Sequence, residues 1–323
     1  MPSVIEQQHA SAPVRRPGRM PPATTPNRRR KRGPGQSSWW ALIFVGPTAL
    51  GLLVFYLWPT VRTVFISLTN TGPFGGSEFI GLQNYRDLLQ DPEFFVALRN
   101  TAVYTLIALI GVPISISIAA LLNTAGLRGK SVYRAVYFLP VVTMPVAVGM
   151  VWRLVYNGDF GILNQALRAL GLAGNSWLTD PSTALIAVAV VGIWATLGTN
   201  IVIFLAGLQS IPSTVLEAAD LDGAGPIRKF FSVTVPLLSP SIFFVCVISI
   251  IGSFQVFDLI YLMLGPTNPA TRTSHTIVYL FYEAGFLDHE RGYAAAVAIV
   301  LLLTIVALTV FQFRLQKRWV HYG

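Results

Sequence analysis

The chain has 323 residues, of which 53% are hydrophobic and only 11% charged, against ~25% charged in ordinary soluble domains. The net charge of +9 does not signal nucleic-acid binding, because residues 1–38 hold eight basic residues and one acid, so +7 of it lies in this tail. One cysteine, Cys246, excludes an intrachain disulfide, and His9, His275, His289 and His321 show no metal-ligand spacing.

Residues 1–38, proline-rich and carrying the run Arg28-Arg29-Arg30-Lys31-Arg32, cannot bury enough apolar surface to order and are expected as a disordered basic tail. Six apolar stretches follow, near 39–58, 102–122, 136–156, 183–208, 237–264 and 293–313. Each has about the 20 residues a helix needs to cross ~30 Å of hydrocarbon. The alternation of barrel strands is absent, so helices are the spanning elements. The expectation is an all-α polytopic membrane protein. A six-helix domain occupies 39–316, in contact with membrane lipid, and a short tail covers 317–323.

Between the first two spans, Leu82, Tyr85, Leu88 and Leu89 recur at helical spacing and predict a short amphipathic helix on the outer surface. Pro47, Pro59, Pro113, Pro140, Pro145 and Pro240 are expected to break or kink the spans. Orientation follows from basic residues: the tail, 123–135, 209–236 and 314–323 hold 16 of the 23 Lys and Arg, which places these segments and both termini in the cytoplasm. Trp39, Trp40 and Trp319 then fall at inner ends of spans, and Trp58, Trp152, Tyr156 and Trp177 near outer ones.

Candidate polar groups lie inside two spans. In the fourth, WATLGTN (194–200) interrupts a Val/Ile run with Thr196, Thr199 and Asn200, neutral donors and acceptors suited to a polyhydroxylated ligand or to hydrogen bonds between helices. Asp258 stands about six positions from the outer end of the fifth span. A charge at the bilayer centre costs ~2.5–3.5 kcal/mol, so Asp258 is expected to face the bundle or a wet cavity, as a hydroxyl acceptor, a gate, or an interfacial acid with a basic partner.

The segment between the fourth and fifth spans is the most informative. Thr214-Val-Leu-Glu217 matches a capping box and predicts a helix starting near Thr214. Gly223 should stop it as a left-handed residue, and Pro226 should open a second helix. Ala218 and Ala219 leave a face without bulk that another protein could approach closely, with Glu217 and Asp222 offering carboxylates. The stretch from Thr124 to Ser131, TAGLRGKS, mimics a phosphate-binding loop but has threonine where the first glycine belongs and follows a membrane span. It implies no nucleotide site in this chain.

The spacing Glu217-Ala218-Ala219, Gly223, then Val233-Thr234-Val235-Pro236 resembles the EAA loop of permease subunits in binding-protein-dependent ABC importers. The string LQSIPSTVLEAADLDGAGP (208–226), with FIGLQNYRDLL (79–89), FDLIYLM (257–263) and GYAAAVA (292–298), is similar to the carbohydrate-uptake class. The resemblance covers about 40–323. Val233 and Val235 replace the usual Ile and Leu, and LGPTNP (264–269) replaces a run of glycines.

This resemblance implies a type I permease fold and an assembly of two permeases, two copies of a cytoplasmic ATPase and an extracytoplasmic solute-binding protein. The ATPase would hold the ATP and Mg, leaving this chain without a cofactor or catalytic residue. Glu217, Ala218, Ala219, Asp222 and Gly223 would couple to it. Substrate contacts would come from Thr196, Thr199 and Asn200 and, in the fifth span, from around Ser249 and Ser253. A secondary transporter or channel is the competing expectation; it would need coupling charges or a repeat, and one intramembrane acid is all that is seen.

Overall fold

The computed structural model describes residues 38–71, 76–124, 126–317 and Val320. The expectations for the tail before Ser38 and for Trp319 fall outside these residues, as do the side chains of Trp39 and Trp40. The chain divides into a unit ending at Tyr56 and a second unit, Leu57–Gly323. The described part of the first is α1 (Ser38–Leu52) and all but the last residue of the π-helical turn Leu53–Leu57 that follows it.

The second unit begins with α2 (Trp58–Ser67) and a small antiparallel ribbon, β1 (Thr69–Thr71) and β2 (Ser77–Phe79), pairing Thr69 with Phe79 and Thr71 with Ser77. Then come α3 (Gln83–Gln90), α4 (Pro92–Asn123), α5 (Lys130–Val142), α6 (Pro145–Val155), α7 (Ile162–Ala169) and α8 (Ala184–Gln209). They are followed by α9 (Ser213–Leu221), α10 (Pro226–Lys229), α11 (Val235–Leu237), α12 (Ser239–Phe254), α13 (Asp258–Met263), α14 (Thr271–Ser274), α15 (Ile277–Tyr282) and α16 (Arg291–Gln316). Apart from the ribbon, the described residues are helices and loops.

Among the described residues, four helices are long and apolar enough to cross a membrane, Ile43–Ile66, Pro92–Asn123, Ala184–Gln209 and Arg291–Gln316; two bent pairs bring the number to six if each is one span. The third expected span is therefore not straight: α5 and α6 meet at 105°. Pro145 opens α6, and Met144 before it is extended at φ −60° and ψ 135°, as the proline ring requires of its neighbour. The fifth expected span, 237–264, is likewise several pieces. Pro226–Leu237 meets α12 at 69°, and α12 ends at Phe254, with three residues between it and α13. By contrast, Pro113 sits inside α4 without ending it.

α8 is the axis of the core. Ala184, Ala187, Val188, Ala189 and Val191 are buried against Ile260, Met263 and Tyr279, and lower down Ile201, Phe204 and Leu208 meet Val112, Ile116 and Val245. Since lipid is as apolar as these side chains, close packing of small residues rather than water exclusion holds such helices together.

At the end of the bundle away from the α9–α10 segment the helices are joined by asparagines. Asn84 donates to the carbonyls of Ser67 (2.8 Å) and Thr69 (3.0 Å), and Asn100 to those of Thr273 (2.8 Å) and His275 (3.0 Å). Asn164 donates to Gly158 O and Asn175 O, both at 2.8 Å, and accepts from the Trp177 indole at 2.8 Å. The amphipathic helix forms as α3, but its buried face is Asn84 and Leu88, one turn apart; Leu82 and Leu89 stay exposed.

Candidate functional site

Two features stand out, an exposed elbow between α8 and α12 and a cavity at membrane depth. α9 begins at Ser213, with Pro212 as its cap residue and no side-chain cap. The expected capping box is therefore not made. Pro212 has no N–H for a glutamate to accept, and Glu217 lies in the second turn rather than at the third helical position. The helix end follows the expected chemistry. Gly223 takes φ +72°, Gly223 N donates to Asp220 O at 3.1 Å, and Ala224 N donates to Ala219 O at 3.0 Å, the paired bonds of a Schellman turn.

Pro226 then opens α10, whose Lys229 forms an ion pair with Asp220 of α9 at 2.5 Å. Glu217, Ala218, Asp222 and Gly223 are exposed. Ala219 is turned inward at 9% exposure, so the small-residue face carries Ala218 but not its neighbour. The reason is periodicity: consecutive helix positions are ~100° apart, and only one of two adjacent alanines can share the outward face. Leu221 is 90% exposed, and Ile227 and Phe231 stand out beside it. The elbow thus presents to solvent apolar side chains and the carboxylates of Glu217 and Asp222, unpaired among the described residues, and a left-handed glycine and the Asp220–Lys229 ion pair lie at its bend.

The cavity measures about 260 Å³ and is lined by Tyr104 and Ala108 of α4, Gly192, Thr196, Thr199 and Asn200 of α8, and Ile248, Ser249, Gly252 and Ser253 of α12. Five expected residues from two spans, Thr196, Thr199, Asn200, Ser249 and Ser253, meet there. Asp258 does not. It lies beyond the end of α12, in the first turn of α13, exposed and away from the cavity lining.

Most of the polar groups of this cavity are uncommitted. Elsewhere in the long helices, hydroxyls are consumed by the preceding turn: Thr101 donates to Ala97 O at 2.8 Å, Thr105 to Thr101 O at 2.7 Å and Ser115 to Gly111 O at 2.7 Å. Thr196 does the same toward Gly192 O at 3.0 Å. Thr199, Ser249, Ser253 and the carboxamide of Asn200 have no hydrogen-bond partner among the described residues, although Asn200 is only 5% exposed. Thr199 is exposed and Ser249 half-buried, and none of these polar atoms is sealed from the lumen, so each is open to a molecule that enters it.

Tyr104 and Gly252 were not expected in the lining. Gly192 admits the Tyr104 ring: a Cβ there would stand 2.1 Å from the phenolic oxygen. The Cβ of Gly252 would meet nothing within 4 Å, so its absence leaves the lumen open. No charged side chain lines the cavity, and no cluster among the described residues could hold a metal ion.

Residues 111–321 match the family described as the binding-protein-dependent transport system inner membrane component. The sn-glycerol-3-phosphate transport system permease protein UgpA of Pectobacterium atrosepticum is 33% identical over 291 residues, 89% of this chain and 97% of that protein. The arabinooligosaccharides transport system permease protein AraP of Bacillus subtilis is 34% identical over 276 residues, 85% of this chain and 87% of that one. In fold, the chain is similar to a chain in the crystal structure of a bacterial alginate ABC transporter in complex with an alginate pentasaccharide-bound periplasmic protein, with a TM-score of 0.79, 23% identity and coverage of 88% and 96%. The chain belongs to the family of binding-protein-dependent transport system inner membrane components, as the membrane-spanning translocation subunit of an ATP-driven importer.

Proposed function

We propose that this permease conducts a neutral saccharide or polyol, and that Thr196, Thr199, Asn200, Ser249 and Ser253, joined by Tyr104, form its half of the binding site. The carrying observation is the convergence of hydroxyl and amide groups from α8 and α12 around one lumen, those of Thr199, Asn200, Ser249 and Ser253 without a hydrogen-bond partner among the described residues. The names of its relatives divide between a phosphorylated polyol and oligosaccharides. A phosphate ester calls for a cation or a cluster of N–H donors, and the lining holds no Lys or Arg; hydroxyls and an amide fit uncharged sugar. At about 260 Å³ the cavity is just below the ~300–1,000 Å³ of complete ligand sites, as suits a half-site finished by a second permease. Asp258, away from the lining, is left out of the proposed set.

The elbow is the proposed input for force. Glu217, Ala218, Asp222 and Gly223, with Ala219 bracing from within, would seat in a groove of a separate ATPase, two copies of which bind the ATP and Mg. The exposed Leu221, Ile227 and Phe231 suit burial in such a groove. The charge distribution supports placing the elbow and both termini in the cytoplasm, which leaves the opposite loops to receive the solute-binding protein.

The test is saccharide uptake by the assembled transporter carrying Thr199→Leu or Asn200→Leu. Each should cut uptake about tenfold or more, since one unmade hydrogen bond to a sugar hydroxyl costs ~1–3 kcal/mol, while the complex still co-purifies. Unchanged uptake of every saccharide tested would refute the assignment.

A further inference from the structure

A second cavity, about 450 Å³, lies between α5 and α8 and is lined by Arg134, Tyr137 and Phe138 on one side and Gly198, Val202 and Leu205 on the other, with Gln209 at its end. On a helix turning ~100° per residue, its stripe Gly198–Val202–Leu205–Gln209 points roughly 120° away from Gly192, Thr196 and Thr199. The groove is therefore on a different face of α8 from the proposed translocation pathway.

From Gly198 to Gln209 it runs 11 residues of helix, about 16 Å at ~1.5 Å each, close to half of a ~30 Å hydrocarbon core. Its lining is apolar apart from Arg134, Tyr137 and Gln209, the last of these ending α8 at the elbow side. Lys130 lies one turn before Arg134 on the same side of α5. No acidic side chain lines the groove, and Arg134 has no ion pair or hydrogen bond among the described residues. An unpaired cation lining an otherwise largely apolar slot, of about one leaflet's length, matches an anionic phospholipid, acyl chain along the slot and phosphate on the guanidinium.

We propose that this groove holds one anionic phospholipid, with Arg134 taking the headgroup phosphate and Tyr137, Phe138, Val202 and Ala206 flanking an acyl chain. Assignment to the inner leaflet rests on the orientation proposed above; the site itself does not.

The experiment is native mass spectrometry of the purified, assembled transporter with dioleoylphosphatidylglycerol, dioleoylphosphatidylcholine or inorganic phosphate added. The wild type should retain phosphatidylglycerol in preference to phosphatidylcholine and should not retain free phosphate. Arg134→Gln should weaken phosphatidylglycerol retention about fivefold, the worth of one basic residue near an anionic headgroup, and Arg134→Lys should keep most of it. Ala206→Trp, at an exposed position in the groove, should displace both lipids. Equal retention of the two lipids by the wild type, or wild-type phosphatidylglycerol binding in both Arg134→Gln and Ala206→Trp, would overturn the proposal. So would a complex that excludes the lipid while the isolated chain keeps it, the sign of a protein neighbour over the groove. Because transport is not the readout, failure here leaves the pathway assignment standing.

Discussion

Lys229 of α10 and Asp220 of α9 form an ion pair across the elbow at 2.5 Å, nine residues apart, with Gly223 between them in the left-handed region. Their side chains are 27% and 57% exposed, so the pair contributes only ~0.5 kcal/mol to stability. Its larger effect is on the angle between the two short helices. Asp220→Lys or Lys229→Asp should leave the melting temperature within a degree or two but reduce the uptake obtained per ATP hydrolysed, and the double reversal should restore it. Measuring both rates in proteoliposomes checks this; an unchanged ratio in the single variants would remove the ion pair from the coupling role.

Tyr104 reaches the proposed sugar site only because residue 192 is glycine. Gly192→Ala should push the ring away, since the new Cβ would stand 2.1 Å from the phenolic oxygen and 3.1 Å from the carbon bearing it. Adding Tyr104→Phe removes the closer clash, so the double variant should recover stability lost in the single one. Thermal unfolding of the three proteins provides the comparison. A double variant no more stable than Gly192→Ala would show that the two residues do not meet.

Asn100→Leu should be strongly destabilising. It leaves the carbonyls of Thr273 and His275 without their donor and should cost about 3 kcal/mol, from ~1–3 kcal/mol for each buried group left unpaired. Faster proteolysis of the 264–276 segment together with a lower melting temperature would be the outcome; a wild-type melting profile would contradict it.

Burial lifts the Glu283 carboxyl above its ordinary 4.5, opposed by His275 and Arg272 and reinforced by Asp288 and Glu93. Below 4.5 the group is protonated in both folded and unfolded chains, and its contribution is intact. As pH rises, the unfolded chain ionises first, so stability falls until pH passes the raised folded value. Glu283→Gln should therefore match the wild type at pH 4 and be the more stable protein at pH 8. Melting temperatures at both values decide the sign, and a glutamine variant less stable at pH 8 would contradict it.

The elbow was readable from sequence because its ends are local events. Gly223 terminates a helix and Pro226 starts another through their own backbone chemistry, without help from distant residues. The start of α9 falls within one residue of the expected Thr214, but the capping box is not made, because Pro212 takes the cap position and cannot supply the second bond. Thr196, Thr199 and Asn200 were visible as polar interruptions of a Val/Ile run. Tyr104 was not, since only the tertiary approach of α4 to Gly192 brings it there. Asp258 was placed within a continuous span because Gln255-Val256-Phe257 contains no glycine or proline to mark the break; Thr276, donating to Val256 O at 2.9 Å, ties this break to a segment twenty residues on. The bend between α5 and α6 had its signal in Pro145, but the angle of 105° depends on packing that no local pattern encodes.

The central claim is that this chain moves solute only when driven from outside itself, through the elbow. Solute accumulation in liposomes tests it most directly, comparing the purified chain alone with the complete transporter, ATP and solute-binding protein, with and without Gly223→Pro. The account predicts accumulation by the complete wild-type transporter, none by the chain alone, and loss of uptake in an assembled Gly223→Pro complex, because proline cannot adopt φ +72°. Uphill accumulation by the chain alone, or wild-type uptake through the Gly223→Pro elbow, would contradict it.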